Sequence, residues 1–423
     1  MTTSTTQTMS DAEASTTANP PCIVCHKSRV EEFLDLGVTA LANNFLTAEE
    51  LEDDEPTYPL RVGFCHACGH VQLTTPVPPG RMFKSYLYRS SASTTLSDHL
   101  ADLARTLVER HGLGPDDLVV DIGCNDATLL QAFRDQRIRT VGVDPAENLA
   151  ALDESGIDRY VGFFGERSAA EIKDRWGRAS VATATNTFPH IPALDDFIRG
   201  LDLLLMPGGT FVIEAHYLLD LLEQGAFDTV YHEHISYWAV GPLVRLFDRF
   251  GMDVVQVERL PIHHGQLRAS IKRRGEGEID PSVSESLALE RARGLDRFST
   301  MQAFGDQVRR AREDLQAALK RLKGEGKRLA AYGAPAKGNT LLSYLELDPE
   351  TIRYIADRSP LKHGRYTPGT HIPVVPAERL LEDQPDYAVL LAWNFEEEIL
   401  AQQAEYRRRG GRFLIPVPEL REV

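Results

Sequence analysis

Two short stretches, Val119-Val-Asp-Ile-Gly-Cys-Asn-Asp126 and Arg139-Thr-Val-Gly-Val-Asp144, constrain this chain more than any other part of it. Each is a β-branched apolar run that ends in an acid. The first run is followed by Gly123, a small turn and the helical pattern Thr128–Phe133, so the order is strand, turn, helix, strand. A glycine-bearing turn lets backbone N–H groups approach a ligand closely, and in doubly wound folds the ligand lies beyond the carboxyl ends of the strands. Asp144, one strand on from Asp121, stands where a carboxylate can hydrogen-bond ribose hydroxyls. The turn is not that of a dinucleotide site, because Asn125 and Asp126 occupy positions where GxGxxG needs glycine. With no pyrophosphate cradle and two acids in place, the pattern suits S-adenosylmethionine, whose ammonium group seeks carboxylate or carbonyl oxygens and whose ribose seeks an acid. Asp121, Gly123, Asn125 and Asp144 are the candidate cofactor contacts, and a plain βαβ unit with no ligand is the alternative.

A chain of 423 residues is long for one core, so two large domains and a smaller unit are expected. Hydrophobic residues at 42% and charged residues at 26% are ordinary for a soluble protein. No apolar run approaches a bilayer span. The first 19 residues hold no Lys or Arg and no apolar stretch; they read as a disordered tail rather than a secretion or mitochondrial signal, and the expected location is the cytoplasm. A net charge of −16 argues against bulk nucleic-acid binding, which needs a basic face. An anionic small substrate would need a local basic pocket.

Four of the five cysteines form two CxxC pairs, Cys22/Cys25 and Cys65/Cys68, and the fifth is Cys124 in the glycine turn. Four thiolates close a tetrahedral zinc site with no open position for water, so such a metal folds its module and performs no catalysis. Free thiols or a redox pair are the alternatives. The long spacer has room for strands such as Tyr58–Phe64 and Val71–Leu73. His26, His66 and His70 are left out of the ligand set.

Tyr86-Leu-Tyr88-Arg-Ser-Ser-Ala-Ser, before the helix Ser97–Gly112, has the phenols and hydroxyls to cover a sugar, or it is a polar crossover in which Tyr packs. A third strand near Arg159–Phe163 leads to Phe164, a candidate for flanking adenine. A fourth, Val181–Thr185, ends in Asn186 and the loop Thr187-Phe-Pro-His190. After the turn Pro207-Gly-Gly comes a fifth strand, Phe211–Glu214. Val254–Glu258 and Gln266–Lys272 complete a seven-stranded sheet whose last pair is antiparallel. Between the fifth strand and the helix near Pro242–Phe250 lies Tyr231-His-Glu-His234. It lacks the i, i+4 histidines of HExxH. Acid–base catalysis is the favoured reading, with a surface loop or a second metal as alternatives.

From Pro281 to Gly324 the pattern is helical, and Met301, Phe304, Val308, Ala311, Leu315, Leu319 and Leu322 form a stripe that belongs to a core or an interdomain seam. The chain then repeats β-turn-α-β: Arg328–Tyr332, the turn Gly333-Ala-Pro-Ala-Lys337-Gly-Asn339, a helix, and Ile352–Ala356 closing on Asp357, followed by the apolar runs Tyr387–Ala392 and Arg412–Pro416. This is a second Rossmann-like unit without the NAD fingerprint. Lys337, Lys362, His363 and Arg365 are its nearest approach to a phosphate-seeking group, or simply a solvated face. The fold class expected is α/β: a disordered tail (1–19), a zinc-binding module (20–85), a Rossmann-like S-adenosylmethionine-binding domain (86–280), a helical connector (281–325) and a second Rossmann-like domain (326–423).

The ordered set of two CxxC pairs, DIGCND, NTFPHIP, YHEH, PIHHG and YGAPAKGNT resembles the sugar C-methyltransferases that act on nucleotide-linked 4-keto-deoxysugars in antibiotic pathways, over about residues 20–420. The resemblance implies a zinc-binding N-terminal module, S-adenosylmethionine in the middle domain, and a substrate, dTDP-linked, between the middle and C-terminal domains. It places the base and its supporting groups on His234, Tyr231, Glu233 and His190, and its Tyr-containing crossover on Tyr86 and Tyr88 as substrate contacts; His263, Lys337 and Asn339 are the other candidate substrate contacts. This chain departs from the family at Ala127, where glycine is usual, and at His263-His264-Gly265, where HGG is usual. The implied chemistry is removal of a proton beside the ketone by His234 or Tyr231, then attack of the enolate carbon on the sulfonium methyl. Methylation of a sugar oxygen or nitrogen, and a non-catalytic zinc-bearing scaffold, are the competing readings.

Overall fold

The computed structural model describes residues 20–84, 89–151, 155–262 and 265–423. The N-terminal tail, Tyr86, Tyr88 and His263 lie outside the described residues. The protein is α/β and is built on three sheets.

The N-terminal module has strands β1 (Glu31–Ala40), β2 (Thr57–Phe64) and β3 (Val71–Leu73), paired antiparallel in that order. The middle of the chain runs α1 (Thr94–His111), β4 (Leu118–Ile122), α2 (Thr128–Asp135), β5 (Arg139–Asp144), α3 (Glu147–Ala151), β6 (Asp158–Val161), α4 (Glu166–Trp176), β7 (Ala179–Thr185), α5 (Leu194–Leu204), β8 (Leu205–His216), α6 (Leu218–Glu223), β9 (Ser236–Tyr237), α7 (Val240–Asp248), β10 (Met252–Leu260) and β11 (Gln266–Arg273). Its seven-stranded sheet has the order β10-β11-β8-β7-β4-β5-β6, with β11 antiparallel to β10 and β8, as the alternation of strands and helices predicts. All of β4 is buried, which is why its sequence is a continuous apolar run rather than an alternating one. The order in which strands are added reverses at β4, with β5 on one side of it and β7 on the other, all three parallel, and that switch point opens a crevice at the carboxyl ends of the strands. The expected Pro207-Gly-Gly turn is a bulge inside β8: Ala179 pairs with Leu205 but Val181 with Thr210, and Gly208 takes the excess at φ 76°.

The two-residue β9 joins β3 rather than its own domain's sheet, with Val71 opposite Tyr237 and Gln72 opposite Ser236. The catalytic candidate segment 231–234 therefore runs straight into the edge of the N-terminal module. The helical stretch divides at Gly294 (φ 72°) into α8 (Pro281–Ala292) and α9 (Phe298–Gly324). Asp280 caps α8 by accepting from the Ser282 N–H. On α9 the stripe residues are buried except Ala311, which is half-buried. A Cβ at Gly305 would stand 2.4 Å from the Phe33 carbonyl oxygen, so the stripe is a seam against the N-terminal module. Beyond it come β12 (Leu329–Tyr332), α10 (Ala336–Tyr344), β13 (Ile355–Asp357), β14 (Val374–Pro376), β15 (Tyr387–Leu390), β16 (Arg412–Ile415) and β17 (Arg421–Glu422), in a sheet ordered β14-β13-β12-β15-β16-β17.

Ala127, which precedes α2, is forced into the left-handed region at φ 64°, ψ 19° and is 1% exposed. Its N–H bonds to Cys124 O at 2.8 Å and its carbonyl receives Gln131 N–H at 2.8 Å, so the turn cannot relax. A left-handed alanine costs roughly 1–2 kcal/mol, and the extra freedom of an unfolded glycine returns about 0.5–1 of that. Ala127→Gly is expected to raise unfolding free energy by about 0.5–1 kcal/mol, read from the urea midpoint at unchanged slope.

Candidate active site

A cavity of about 790 Å³ opens over the switch point and is walled by the middle and C-terminal domains, with Asn43 and Phe45 reaching in from the N-terminal module. This is the size of a site for a cofactor and a small substrate together.

On one side lies the turn after β4. Gly123 (φ 78°) is obligatory, because a Cβ there would come within 2.0 Å of Thr187 Oγ1. Asp121 lines the cavity floor and accepts from the Thr183 hydroxyl at 2.6 Å; burial pushes its carboxyl up to about 7, the hydroxyl acting the other way. A bound cation beside it would restore the ionised form. Asp144 receives the Asn125 N–H on Oδ2 at 2.9 Å and the Ala146 N–H on Oδ1 at 2.8 Å, and burial raises its pKa. Asn125 Oδ1 in turn accepts from Ser90 N–H at 3.0 Å. Phe164 and Asn186 also line the cavity, Phe164 edge-on to Phe197 and Asn186 receiving Gln266 Nε2 at 2.7 Å. All six candidate cofactor contacts thus share one wall.

A cluster of rings lines the same cavity. His234 is hydrogen-bonded through Nδ1 to the Thr229 carbonyl at 2.7 Å. A carbonyl only accepts, so Nδ1 carries the hydrogen and Nε2 keeps a lone pair. The ring centroids of Tyr231, His216 and His190 lie 4.0, 5.0 and 5.3 Å from it. His190 is stacked between His234 and Phe83, and its buried Nε2 has no partner. Burial pushes both His190 and His234 down to about 3, each helped by a neighbouring imidazole, so both are neutral at pH 7. Glu233, expected beside the base, is not among the described residues that line the cavity: its carboxylate takes the Asn43 Nδ2 hydrogen at 2.7 Å and ties the loop to the N-terminal module.

The third wall comes from the C-terminal domain. Lys337 lines the cavity 3.7 Å over the Trp393 ring and 3.9 Å from Asp228 Oδ2, and burial lowers it to about 8 against the pull of Asp228. Trp393 Nε1 donates to Asp228 at 2.6 Å and Thr340 Oγ1 to Val230 O at 3.2 Å, so this domain grips residues on both sides of Thr229, the carbonyl that orients His234. Lys362 also lines the cavity, whereas His363 is bonded to Asp357 O and Arg365 to Phe45 O. Asn339 is not a lining residue; its Nδ2 donates to Ala42 O at 2.7 Å and joins domains.

Away from the cavity, the sulfurs of Cys22, Cys25, Cys65 and Cys68 all lie within 4.8 Å of one another. Cys22 and Cys68 are 3.5 Å apart and Cys25 and Cys65 3.6 Å. Bonds of about 2.3 Å from a central zinc give tetrahedral edges of about 3.8 Å, so the four fit one ion. His26 pairs with Asp195, His66 with Glu31, and His70 stacks on Trp238. No second metal-ligating cluster occurs among the described residues, and none of their helices is long and apolar enough to cross a membrane.

His216, Phe83, Asn43 and Trp393 are lining residues that sequence reasoning missed. Only His216 carried a signal, since it is the final residue of a strand whose carboxyl end faces the crevice.

Three segments match known families: residues 22–83 the "Putative zinc binding domain", 88–257 the "Methyltransferase domain" and 261–418 the "C-methyltransferase C-terminal domain". The C-methyltransferase NovU of Streptomyces niveus is 36% identical over 404 residues, 95% of this chain and 96% of that protein. A ubiquinone biosynthesis O-methyltransferase of Burkholderia pseudomallei is 24% identical over 174 residues, 37% of this chain and 73% of its own. Among solved structures, a SAM-dependent methyltransferase from Anabaena variabilis aligns with a TM-score of 0.34 at 18% identity, over 43% of this chain and 86% of that one.

Proposed function

Because the chain belongs to the C-methyltransferase family that includes NovU, we propose that it transfers the methyl group of S-adenosylmethionine to a carbon beside the ketone of a dTDP-linked 4-keto-deoxysugar. The observation that carries this reading is one cavity lined both by the acid-bearing turn and by a neutral, carbonyl-oriented histidine. Asp121, Asp144 and the turn hold the cofactor. Lys337 and Lys362 face the nucleotide diphosphate. His234 Nε2 takes the proton, the enolate oxygen is met by Tyr231 or by a hydrogen on His190 Nε2, and the carbon attacks the methyl in line. One Zn²⁺ on the four cysteines folds the N-terminal module.

Solvent deuterium exchange at the carbon beside the ketone, with enzyme and dTDP-4-keto-sugar, tests this directly. Absence of exchange together with a methyl ether product would replace it with O-methylation, the chemistry named for the ubiquinone relative.

The bonds made by Asp144 set a second expectation. Asp144→Ala removes an acceptor from two backbone N–H groups as well as the ribose contact, and hydrogen bonds to a charged group contribute roughly 1.5–3 kcal/mol each. S-adenosylmethionine affinity is expected to fall by about 10- to 100-fold in calorimetric titration, with sugar nucleotide affinity unchanged. Equal cofactor affinity in variant and parent would remove Asp144 from the site.

A further inference from the structure

Methylation of a carbon that bore hydrogen releases a proton in every turnover. The C–H bond breaks and its electron pair forms the new bond to the sulfonium methyl, the thioether leaves neutral, and the proton stays on the base. On the reading above, that base is His234, which is buried, 5% exposed, with Nδ1–H committed to the Thr229 carbonyl. The proton therefore sits on Nε2 inside the cavity, and a second turnover cannot start until it has left.

Three rings adjoin His234, and they differ in what they can do with a proton. Tyr231 is a phenol, already protonated at neutral pH and unable to take a second proton. His190 is half-buried and stacked between the rings of Phe83 and His234, and burial holds it down to about 3. His216 is the third, an imidazole at the cavity wall, half-buried as His190 is, its ring tilted 51° to that of His234 with centroids 5.0 Å apart. It is fixed in place by the backbone, as the last residue of β8 with Gln266 of β11 opposite.

We propose that His216 is the proton relay of this enzyme: its ring accepts the Nε2 proton from the His234 imidazolium and passes it to bulk water. The relay acts after the methyl has moved, and so governs how fast the base is regenerated rather than how fast carbon is methylated.

The inference rests on His234 being the base, and one experiment separates the two. Rapid-quench methylation of the dTDP-4-keto-sugar is followed in dilute, weakly buffered solution for the parent, His216→Gln, His216→Asn and His234→Ala. In the His216 variants the first turnover is expected at full amplitude and near the parent rate. Steady-state turnover is expected to drop about tenfold or more, and added imidazole at tens of millimolar to restore most of it. A ring needed only for packing would not respond to a dissolved proton carrier. The proposal is overturned if both His216 variants turn over at the parent rate, or if first and later turnovers slow together without rescue. Loss of the first turnover in His234→Ala alone, with the His216 variants like the parent, removes the relay and keeps the base. A full first turnover in His234→Ala removes the base itself.

Discussion

Replacing His234 by alanine is expected to slow methyl transfer by about 10²–10⁴-fold, the contribution of a positioned base, while leaving S-adenosylmethionine affinity within about twofold. The size of the loss follows from how completely the ring is prepared. Its tautomer is set by the Thr229 carbonyl, its burial keeps it neutral, and the residue lines the cavity that also holds the turn after β4. A pKa near 3 makes this imidazole a weak base in isolation. Proton transfer, however, creates an imidazolium beside an enolate, and two opposite charges about 4 Å apart at an effective dielectric of 20 attract by about 4 kcal/mol. The substrate thus supplies the missing basicity only as its own charge develops, which favours the transition state over the bound ketone. The same burial fixes the sign of the pH effect. A depressed pKa keeps the base neutral as pH falls through 6.5, so kcat/KM is expected to show no imidazole limb between pH 7.5 and 5.5. A limb near 6.5 that vanishes in His234→Ala would contradict the burial described here. Exchange of the substrate's α-proton should slow in step with turnover, and full exchange in the variant would move the base to Tyr231.

Stripping zinc from the four cysteines, or replacing Cys65 by serine, is expected to abolish activity and to unfold the N-terminal module, since structural zinc contributes about 10–16 kcal/mol of apparent binding free energy, as much as a typical domain's whole stability. The damage should reach the base. β3 follows directly on Cys65–Cys68 and pairs with β9, Leu73 N–H bonds to Ile235 O at 2.8 Å, and Glu233 is tied to Asn43. Loss of the module frees the segment next to His234, although the metal lies outside the cavity. Metal analysis with far-ultraviolet circular dichroism checks this: one zinc per chain with structure lost on chelation is the expected result, and intact structure without metal would refute it.

What the sequence disclosed was whatever repeats a local pattern. The apolar runs ending in Asp121 and Asp144, the CxxC spacing and the period of α9 each reflect a constraint felt within one element, so the α/β architecture and the paired acids were legible. Features that depend on a distant partner were not. Ser236-Tyr237 has no strand pattern of its own and becomes β9 only because β3 offers an open edge. Glu233 and Asn339 sit in polar motifs, yet partners at Asn43 and Ala42, far back in the chain, turn them to joining domains. The strain at Ala127 is likewise visible only once the turn around Asp144 is closed.

The crossing of β9 has a consequence for anyone recombining such enzymes to alter the substrate they accept. A graft that exchanges residues 20–85 between two relatives cuts the chain between domains but strips the edge strand from the sheet, separating β3 from β9. The interchangeable part in space is discontinuous: the amino-terminal segment together with a short insert around residues 231–238, and the grip of Thr340 and Trp393 on the residues before it. Chimeras that move these pieces together should keep their turnover, and those that respect only linear borders should fold as separate parts with an idle base.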